Sequence, residues 1–346
     1  MHSGTTCPAV APCPAMSSSN SVRVLEWVRY PTGVWNLPRD LAAGLSTAVP
    51  GVEVWCPETR EQAEALLPEA DVVLGFIVRA DNLAAARRLR WIHSTAASAT
   101  HVLFPALIES DIVVTNARGL HADAMAEHAL GVMLAFVRQL HVARDAQRAR
   151  VWAQDDMSTR GFGSLAGTTL GLVGLGAIGG ALATRARALG MRVLAVRRHP
   201  AATPAPAHEQ WPVSRLHELL AESDWVVVVA PHTLETERMF GAEEFARMKP
   251  GARFVNLGRG ALVDEVALVA ALRSGALAGA ALDVFEEEPL PSASPLWDLP
   301  EVILTPHTSG LGPRYWERAM EQFIDNLRRY VAGEPLFNVV DKRAGY

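Results

Sequence analysis

Three short segments in the C-terminal part of the chain carry residues that could reduce a carbonyl group. Arg259 stands in NLGRG, Glu288 ends the acidic run of DVFEEEP, and His307 lies in TPHTSG. Hydride addition to a carbonyl builds negative charge on its oxygen, which requires a proton donor and a nearby cation. His307 would donate the proton, Glu288 would bind its second ring nitrogen and favour the imidazolium, and Arg259 would bind a carboxylate. This set predicts the reduction of a 2-oxo acid.

A glycine-rich loop at 174–179 has the pattern of a dinucleotide site. Gly174, Gly176 and Gly179, with Ala177 and Ile178 before the last glycine, form GxGxxG between the strand-like LGLV and the helical segment GALATRARAL. The first glycine permits a tight turn, the second lets a pyrophosphate approach, and the third lets helix and strand pack closely. The N–H groups at the start of the helix would bind the phosphates. A glycine-rich connection without a ligand is the alternative, but the flanking strand and helix favour a dinucleotide.

Each catalytic assignment also has an ordinary structural explanation. A lone histidine after a proline is more often structural, and an acidic run such as 286–288 is usually a solvated turn. An arginine between glycines can hold a carboxylate of its own loop. Together, and behind a nucleotide-binding loop, the three residues favour catalysis.

The end of the strand that follows the glycine loop indicates which dinucleotide is used. An NAD site usually places an acid about 20 residues after the glycines, where it binds the ribose hydroxyls. Here the strand ends in Arg197 and Arg198, with no acid among its last residues. Two guanidinium groups can bind a 2′-phosphate through charge-assisted contacts, so we expect NADPH to be preferred, with NADH possible. The alternative is that both arginines are solvated and the preference is set elsewhere.

Strands that alternate with helices must position these residues. Five strands are predicted within 22–117, with helical segments at 61–70 and 81–89, and a second α/β series begins at Leu170. This alternation predicts the α/β class, with two Rossmann-like or flavodoxin-like domains, each a doubly wound parallel sheet, and a cleft between them. Ligands bind at the carboxyl ends of the strands in such sheets, and the three catalytic segments follow strands.

The order of the elements divides the chain into three regions. Residues 1–20, rich in Ser, Pro and Thr, are predicted to be a disordered tail without the features of a signal peptide, and Met16 could open the chain equally well. Residues 21–118 with 309–346 would form the substrate domain, because the last helix, 316–330, follows the completed second sheet. Residues 119–308 would form the dinucleotide-binding domain, and one long helix over 122–150 would bridge the two.

The composition limits the classes of partner. The 346 residues are 49% hydrophobic and 20% charged, with a net charge of −5, so a globular protein that does not bind nucleic acid is expected. Its 3 cysteines suggest neither a disulfide framework nor a metal site and fit the cytoplasm. The uncharged segment 161–184 is long enough to cross a membrane, but its glycines favour a strand, loop and helix, so no membrane association is expected.

The motifs together resemble the D-isomer-specific 2-hydroxyacid dehydrogenases, which use NAD or NADP. The resemblance covers nearly the whole chain from about Val22, and rests on GLGAIG, PHTLET, NLGRGALVDE, GAALDVFEEEPL and ILTPHTSG in the family's order and spacing. By this likeness Arg259, Glu288 and His307 match the family's arginine, glutamate and histidine. Within the acidic run Glu288 is preferred over 286 and 287, because it directly precedes Pro289.

The resemblance implies further contacts with ligands. Pro231 and Thr236 would line the adenosine, and Gly258 and Asp283 would flank the nicotinamide. The segment RWIHSTAASATHV resembles the loop whose backbone N–H groups bind the substrate carboxylate. It has Ala96, Ala97 and Ser98 where the family commonly has glycine, and this difference could narrow or redirect the pocket. The two arginines that replace the usual acid resemble the glyoxylate and hydroxypyruvate reductase branch.

These observations give a leading hypothesis and one from another class. We expect a reductase that converts a small 2-oxo acid, similar to glyoxylate or hydroxypyruvate, into the D-2-hydroxy acid with NADPH. As the family's dimers suggest, a homodimer would form through the linking helix and RARVW, with Trp152 just beyond the helix. The alternative is a dinucleotide-sensing regulatory protein, like the corepressors that share this fold. The intact Arg, Glu and His favour catalysis, although those corepressors retain them.

Overall fold

The computed structural model describes residues 21–29, 36–99, 101–201 and 205–345. The tail predicted over 1–20 lies outside these ranges. The chain divides into two compact units, Met1–Leu120 with Pro313–Tyr346, and His121–Gly312. Each unit holds one parallel sheet with helices, which confirms the predicted α/β class.

The first unit contains a five-stranded sheet in the order β2-β1-β3-β4-β5 with parallel ladders throughout. Valine is frequent in its strands, and β3 and β4 are fully buried, as a sheet covered on both faces requires. The strands are β1 (Val22–Trp27), β2 (Val52–Trp55), β3 (Val72–Gly75), β4 (Trp91–Ser94) and β5 (Val113–Asn116). The helices are α1 (Arg39–Ala43), α2 (Leu45–Ala48), α3 (Arg60–Leu66), α4 (Pro105–Ile108) and, from the C-terminus, α12 (Tyr315–Ala332).

Helix α12 packs on this first sheet through one apolar face. Phe323 and Tyr330 are buried and lie over Trp91 of β4, with ring centroids 5.2 and 5.5 Å from that of the tryptophan. After the helix, the chain runs antiparallel beside β5, where the Val340 N–H donates to the Val114 carbonyl at 2.8 Å. The last residues of the chain therefore cover the free edge of β5.

A histidine lies in the core of the first unit. His93 on β4 is fully buried, and its Nδ1 lies 2.8 Å from the Thr115 hydroxyl. Its Nε2 has no hydrogen-bond partner among the described residues. Burial lowers the pKa of His93 to about 3, because the charged imidazolium would lose its hydration.

This histidine predicts a loss of stability in acid. The unfolded chain takes up a proton on His93 below about pH 6.5, whereas the folded protein does not until about pH 3. The unfolded state therefore binds more protons in this window, and the free energy of unfolding falls as the pH falls through it. Between pH 7.5 and 4.5, urea unfolding of the wild type should lose about 3 kcal/mol more than that of His93→Asn. His217→Asn, on a half-exposed histidine, is the control, and equal losses in wild type and His93→Asn would contradict the prediction.

The second unit contains a seven-stranded sheet in the order β12-β11-β10-β9-β6-β7-β8, again with parallel ladders. Both faces are covered by helices, and the strands at 225–228 and 279–282 are buried throughout. The strands are β6 (Thr169–Val173), β7 (Arg192–Val196), β8 (Glu209–Trp211), β9 (Trp225–Val228), β10 (Arg253–Asn256), β11 (Gly279–Leu282) and β12 (Val302–Leu304). The helices are α5 (Ala122–Val137), α6 (Leu140–Ala149), α7 (Gln154–Arg160), α8 (Ala177–Ala188), α9 (Leu216–Glu222), α10 (Ala242–Arg247) and α11 (Glu265–Arg273).

The single long helix predicted over 122–150 is wrong, because α5 and α6 are separate. Gln139 between them has a φ of 53°, in the left-handed region, and its side-chain amide donates to the carbonyls of Met157 and Gly161. The buried face therefore ends with α5, and Leu140, the first residue of α6, is 55% exposed. Val151 and Trp152 are also exposed, at 58% and 89%. The predicted dimer interface in this region stays a prediction.

One further prediction differs from the structure, and one strand was not predicted. The segment 81–89 has helical composition but forms only a 3₁₀ turn at Leu83–Ala85. The Asn82 side chain closes a turn there, accepting from the Arg79 N–H and donating to the Ile77 carbonyl, and these bonds compete with an α-helix. Strand β8 was not predicted, because its three residues, Glu-Gln-Trp, show no apolar alternation.

The uncharged segment at 161–184 is not one continuous helix. It forms a loop, strand β6 and the first part of α8, as its glycines predict. Within the described ranges, no helix has both the length and the apolar character that crossing a bilayer requires.

Candidate functional site

The loops that carry the predicted catalytic residues leave neighbouring strands of the second sheet. Strands β10, β11 and β12 lie side by side and are parallel, so their carboxyl ends lie at one edge. Arg259 follows β10, Glu288 lies in the loop after β11, and His307 follows β12. The glycine loop after β6 leaves the same edge two strands beyond β10. This is where ligands bind in doubly wound sheets.

The glycine loop has the shape that a dinucleotide pyrophosphate needs. A Cβ on Gly179 would lie 2.2 Å from the Gly174 carbonyl oxygen, so only glycine lets α8 approach β6 this closely. A Cβ on Gly176 would meet nothing within 4 Å, so the backbone there faces open space. Among the described residues, no side chain caps the N-terminus of α8, and Ala177 is exposed. The N–H groups of that first turn can therefore receive an anion.

The end of β7 holds a pair of opposite charges. Arg197 is half-buried, and its N–H donates to the Trp211 carbonyl, which joins β7 to β8. Arg198 is partly exposed and donates to a Glu235 carboxylate oxygen at 2.5 Å. The sequence shows no acid at the end of this strand, but the loop after β9 brings Glu235 to it. This pairing was missed because the two residues are far apart in sequence.

Residues 231–236 form a turn that is fixed by its own hydrogen bonds. The Thr236 hydroxyl donates to the Pro231 carbonyl at 2.8 Å and accepts from the Thr233 N–H at 2.8 Å. Pro231 and the neighbouring Leu234 are exposed, the leucine at 94%. The predicted contact of Pro231 and Thr236 with adenosine stays a prediction, and in this structure Thr236 holds its own loop.

The loop of Arg259 is packed tightly against the loop of Glu288. A Cβ on Gly260 would lie 1.8 Å from the Phe285 carbonyl oxygen, so this position accepts only glycine. The Asn256 amide donates to the Arg259 carbonyl at 2.9 Å, and the Arg259 guanidinium donates to the Gly258 carbonyl at 2.7 Å. Burial lowers the pKa of Arg259, and the charge of Glu288 opposes that shift. A half-buried cation is thus fixed beside the glutamate.

Glu288 and His307 form a direct hydrogen bond. Glu288 Oε2 lies 2.6 Å from His307 Nδ1, and the side chains are 34% and 48% exposed. The other carboxylate oxygen accepts the Phe285 N–H at 3.0 Å, which fixes the orientation of the glutamate. Because Nδ1 faces a carboxylate, Nε2 is the ring nitrogen left to face a substrate.

The rest of the acidic run has other contacts. Glu286 lies 3.6 Å from Arg238, and its N–H donates to Glu265 Oε1 at 2.7 Å. Burial, and then the charges of Glu286 and Glu288, raise the pKa of Glu265, which the bond from the Glu286 N–H partly offsets. Among the three glutamates, Glu288 is the one that forms a hydrogen bond with His307, and Glu287 is exposed.

Asp283 and Gly258, predicted beside the nicotinamide, are both buried. The Asp283 carboxylate accepts the Thr308 N–H and the Ser309 N–H, each at 2.9 Å, and the Thr305 hydroxyl at 2.6 Å. These donors belong to the turn that contains His307. The nicotinamide contact stays a prediction, and the described contacts of the Asp283 side chain hold the histidine turn.

The predicted substrate loop lies in the first unit, after β4. Ala96, Ala97 and Ser98 are half-buried. The Ala96 N–H donates to the Ser94 hydroxyl at 3.2 Å, and the Asn116 amide donates to the Ala97 carbonyl at 2.7 Å. One of the N–H groups predicted to bind the substrate carboxylate is therefore used within the loop. The remaining contacts of this loop with a substrate stay a prediction.

Comparison with known proteins places the chain in one family. Residues 130–309 match the family described as D-isomer specific 2-hydroxyacid dehydrogenase, NAD binding domain. The chain is 36% identical over 290 residues to a D-3-phosphoglycerate dehydrogenase of Mycobacterium leprae, an alignment that covers 83% of this chain and 54% of that protein. It is 36% identical over 302 residues to a glyoxylate reductase of Korarchaeum cryptofilum, covering 84% and 90%. The chain thus spans about half the length of the phosphoglycerate dehydrogenases it matches.

A solved structure agrees with this result. The NADPH-dependent glyoxylate/hydroxypyruvate reductase of Sinorhizobium meliloti, in complex with NADP and sulfate, superposes with a TM-score of 0.79 at 28% identity. The match covers 94% of this chain and 100% of that one. Sequence and structure agree over nearly the full length, and the chain belongs to the D-isomer specific 2-hydroxyacid dehydrogenase family.

Proposed function

We propose that this protein reduces a small 2-oxo acid to the D-2-hydroxy acid with NADPH. The observation that carries the proposal is the 2.6 Å bond between His307 and Glu288, at the sheet edge that also bears Arg259. A histidine held by a carboxylate can donate a proton, and a half-buried arginine beside that carboxylate can bind the carboxylate of a substrate.

A dinucleotide, when bound, would supply a hydride for the carbonyl carbon of the substrate. His307 gives the proton on Nε2 to the carbonyl oxygen, while Glu288 keeps the second ring proton on Nδ1 and stabilises the cation before transfer. Arg259 binds the substrate carboxylate and faces the oxygen on which charge develops. With this proton and the hydride, the carbonyl would become a hydroxyl.

The glycine loop and the two arginines would hold the dinucleotide. The N–H groups at the start of α8 would bind the pyrophosphate, since the loop is open at Gly176. Arg197 and Arg198 would bind the 2′-phosphate of NADPH, with Arg198 exchanging its bond to Glu235 for one to phosphate. The reductase of Sinorhizobium meliloti, which is NADPH-dependent, supports this preference by its similarity.

An absorbance assay at the reduced-nicotinamide band tests the proposed function. NADPH and NADH are tested separately against glyoxylate, hydroxypyruvate, pyruvate and bulkier 2-oxo acids. We expect oxidation of NADPH, fastest with glyoxylate or hydroxypyruvate, because similar proteins include a glyoxylate reductase. Binding of NADPH without turnover of any of these acids would contradict the proposal and favour a dinucleotide sensor.

The cofactor preference makes a separate prediction. Arg197→Ala combined with Arg198→Ala should raise the Kd of NADPH by about 100-fold, because two charge-assisted bonds to the 2′-phosphate are lost. The Kd of NADH should stay within about twofold, since NADH has no such phosphate. Fluorescence titration of each cofactor measures both values. Arg187→Ala, which removes an exposed arginine of α8, is the control, and equal weakening of both cofactors by the double variant would exclude 2′-phosphate recognition.

A further inference from the structure

His307 occupies a backbone conformation that the rest of its turn must hold in place. Its φ is 54°, in the left-handed region that residues other than glycine adopt only at a cost in free energy. The proposed reaction needs the ring to stay within hydrogen-bond reach of a substrate oxygen. The side chains that fix this turn therefore bear on the reaction even where they do not touch the substrate.

Asp283 is the centre of these contacts. The His307 N–H donates to the Asp283 backbone carbonyl at 2.9 Å, and the next two N–H groups, of Thr308 and Ser309, donate to the Asp283 carboxylate. The Thr305 hydroxyl donates to the same carboxylate at 2.6 Å. Donors on both sides of His307 thus converge on one buried side chain.

A histidine on α5 completes this set of bonds. His128 Nε2 lies 3.2 Å from the Thr305 hydroxyl oxygen. A carboxylate that already accepts two backbone N–H groups acts as an acceptor, so the single hydroxyl proton of Thr305 points to Asp283. The Thr305 oxygen must then accept from His128, and Nε2 carries the proton. Burial lowers the pKa of His128, with the charge of Asp283 opposing that shift, and the neutral ring can donate this bond.

We propose that His128 is a positioning residue for the proposed reaction. Through the Thr305 hydroxyl it orients the Asp283 carboxylate, and Asp283 holds the left-handed turn that presents His307 to the substrate. No part of the proposed chemistry uses His128 directly. The inference rests on the proposed function, because positioning has consequences for turnover only if His307 is the proton donor.

Two pairs of variants separate positioning from general stabilisation. Thr305→Val removes the hydroxyl with little change of shape, whereas Thr305→Ser keeps it. His128→Leu removes the donor, whereas His128→Gln keeps an N–H donor at the end of a side chain of similar reach. We expect kcat to fall about tenfold to 100-fold in Thr305→Val and in His128→Leu, because a small misplacement of a reacting group costs about this much. The KM for the 2-oxo acid should change less than threefold.

The conservative variants and a distant control complete the kinetic test. Thr305→Ser and His128→Gln should recover kcat to within about threefold of the wild type. Thr168→Val removes a hydroxyl that donates to the Leu165 carbonyl. Thr168 directly precedes β6, at the amino end of that strand, and its replacement should leave kcat unchanged. An unchanged kcat in Thr305→Val and His128→Leu would overturn the proposal. So would an equal loss in the conservative variants.

A spectroscopic measurement keeps this test distinct from that of the proposed function. The ¹H–¹³C NMR resonance of the His307 ring, assigned with His307→Asn, should shift in Thr305→Val and His128→Leu but not in Thr168→Val. If the protein did not turn over any 2-oxo acid, the proposed function would be wrong. The NMR shift would still show whether His128 and Thr305 position His307. An unmoved His307 resonance in both non-conservative variants would overturn the positioning role.

Discussion

Replacing His307 with asparagine should lower kcat by about 10²- to 10⁴-fold, the range expected when a general acid is lost. Asparagine can place its amide near the position of the ring Nδ1 and so keep a bond to Glu288, but nothing then occupies the position of Nε2. The substrate oxygen would have to take its proton from water. Stopped-flow or steady-state loss of reduced-nicotinamide absorbance with saturating 2-oxo acid measures the effect.

The same variant should bind NADPH within about twofold of the wild type, because the glycine loop and the arginines at the end of β7 lie on other loops. His217→Asn, which changes a histidine of α9 that pairs with Glu244 away from these loops, is the matched control and should keep its kcat. The kcat of Glu288→Gln should lie between those of His307→Asn and His217→Asn, since an amide can accept the Nδ1–H bond without stabilising the cation. A His307→Asn protein with wild-type turnover would refute the assignment of the proton donor.

The fold could be predicted from the sequence where one local signal was enough. Strands such as Val72–Gly75 and Trp225–Val228 are short apolar runs, and a buried parallel sheet produces this pattern. The break after α5 was not predicted, because Gln139 is stabilised by two carbonyls from residues 157 and 161. The 3₁₀ turn at Leu83–Ala85 is a similar case, since the bonds of a single asparagine outweigh a helical composition.

The site, too, could be predicted only where a local sequence pattern was enough. Arg259, Glu288 and His307 could be proposed because each stands in a short motif after a strand, and adjacent parallel strands bring such motifs together. Glu235 beside Arg198, and His128 beside Thr305, could not be proposed in the same way. Each of these pairs joins elements that are separated in sequence, and no local pattern encodes the distance between their side chains.

Replacing Arg259 with lysine should lower kcat/KM for the 2-oxo acid by about 10²- to 10⁴-fold, although the charge is kept. A guanidinium can donate two parallel bonds to a carboxylate, and an ammonium group cannot reproduce that geometry. Each charge-assisted bond contributes about 1.5–3 kcal/mol, so the loss of both costs about 3–6 kcal/mol, and about 1.4 kcal/mol corresponds to a factor of ten. The Asn256 bond and the close contact at Gly260 fix the backbone here, so the loop cannot move to compensate.

The pH dependence of the lysine variant gives a second test. Burial already lowers the pKa of Arg259, but an arginine stays charged across the accessible range, whereas a lysine with an ordinary pKa near 10.4 at the same site would lose its proton more easily. The residual kcat/KM of Arg259→Lys should therefore fall between pH 7 and 9 more steeply than that of the wild type. Arg253→Lys is the matched control, because Arg253 begins the same strand β10 and is also half-buried, between the rings of Phe136 and Trp225. If both lysine variants lost activity equally, the loss would reflect packing of a buried arginine and not recognition of the substrate carboxylate.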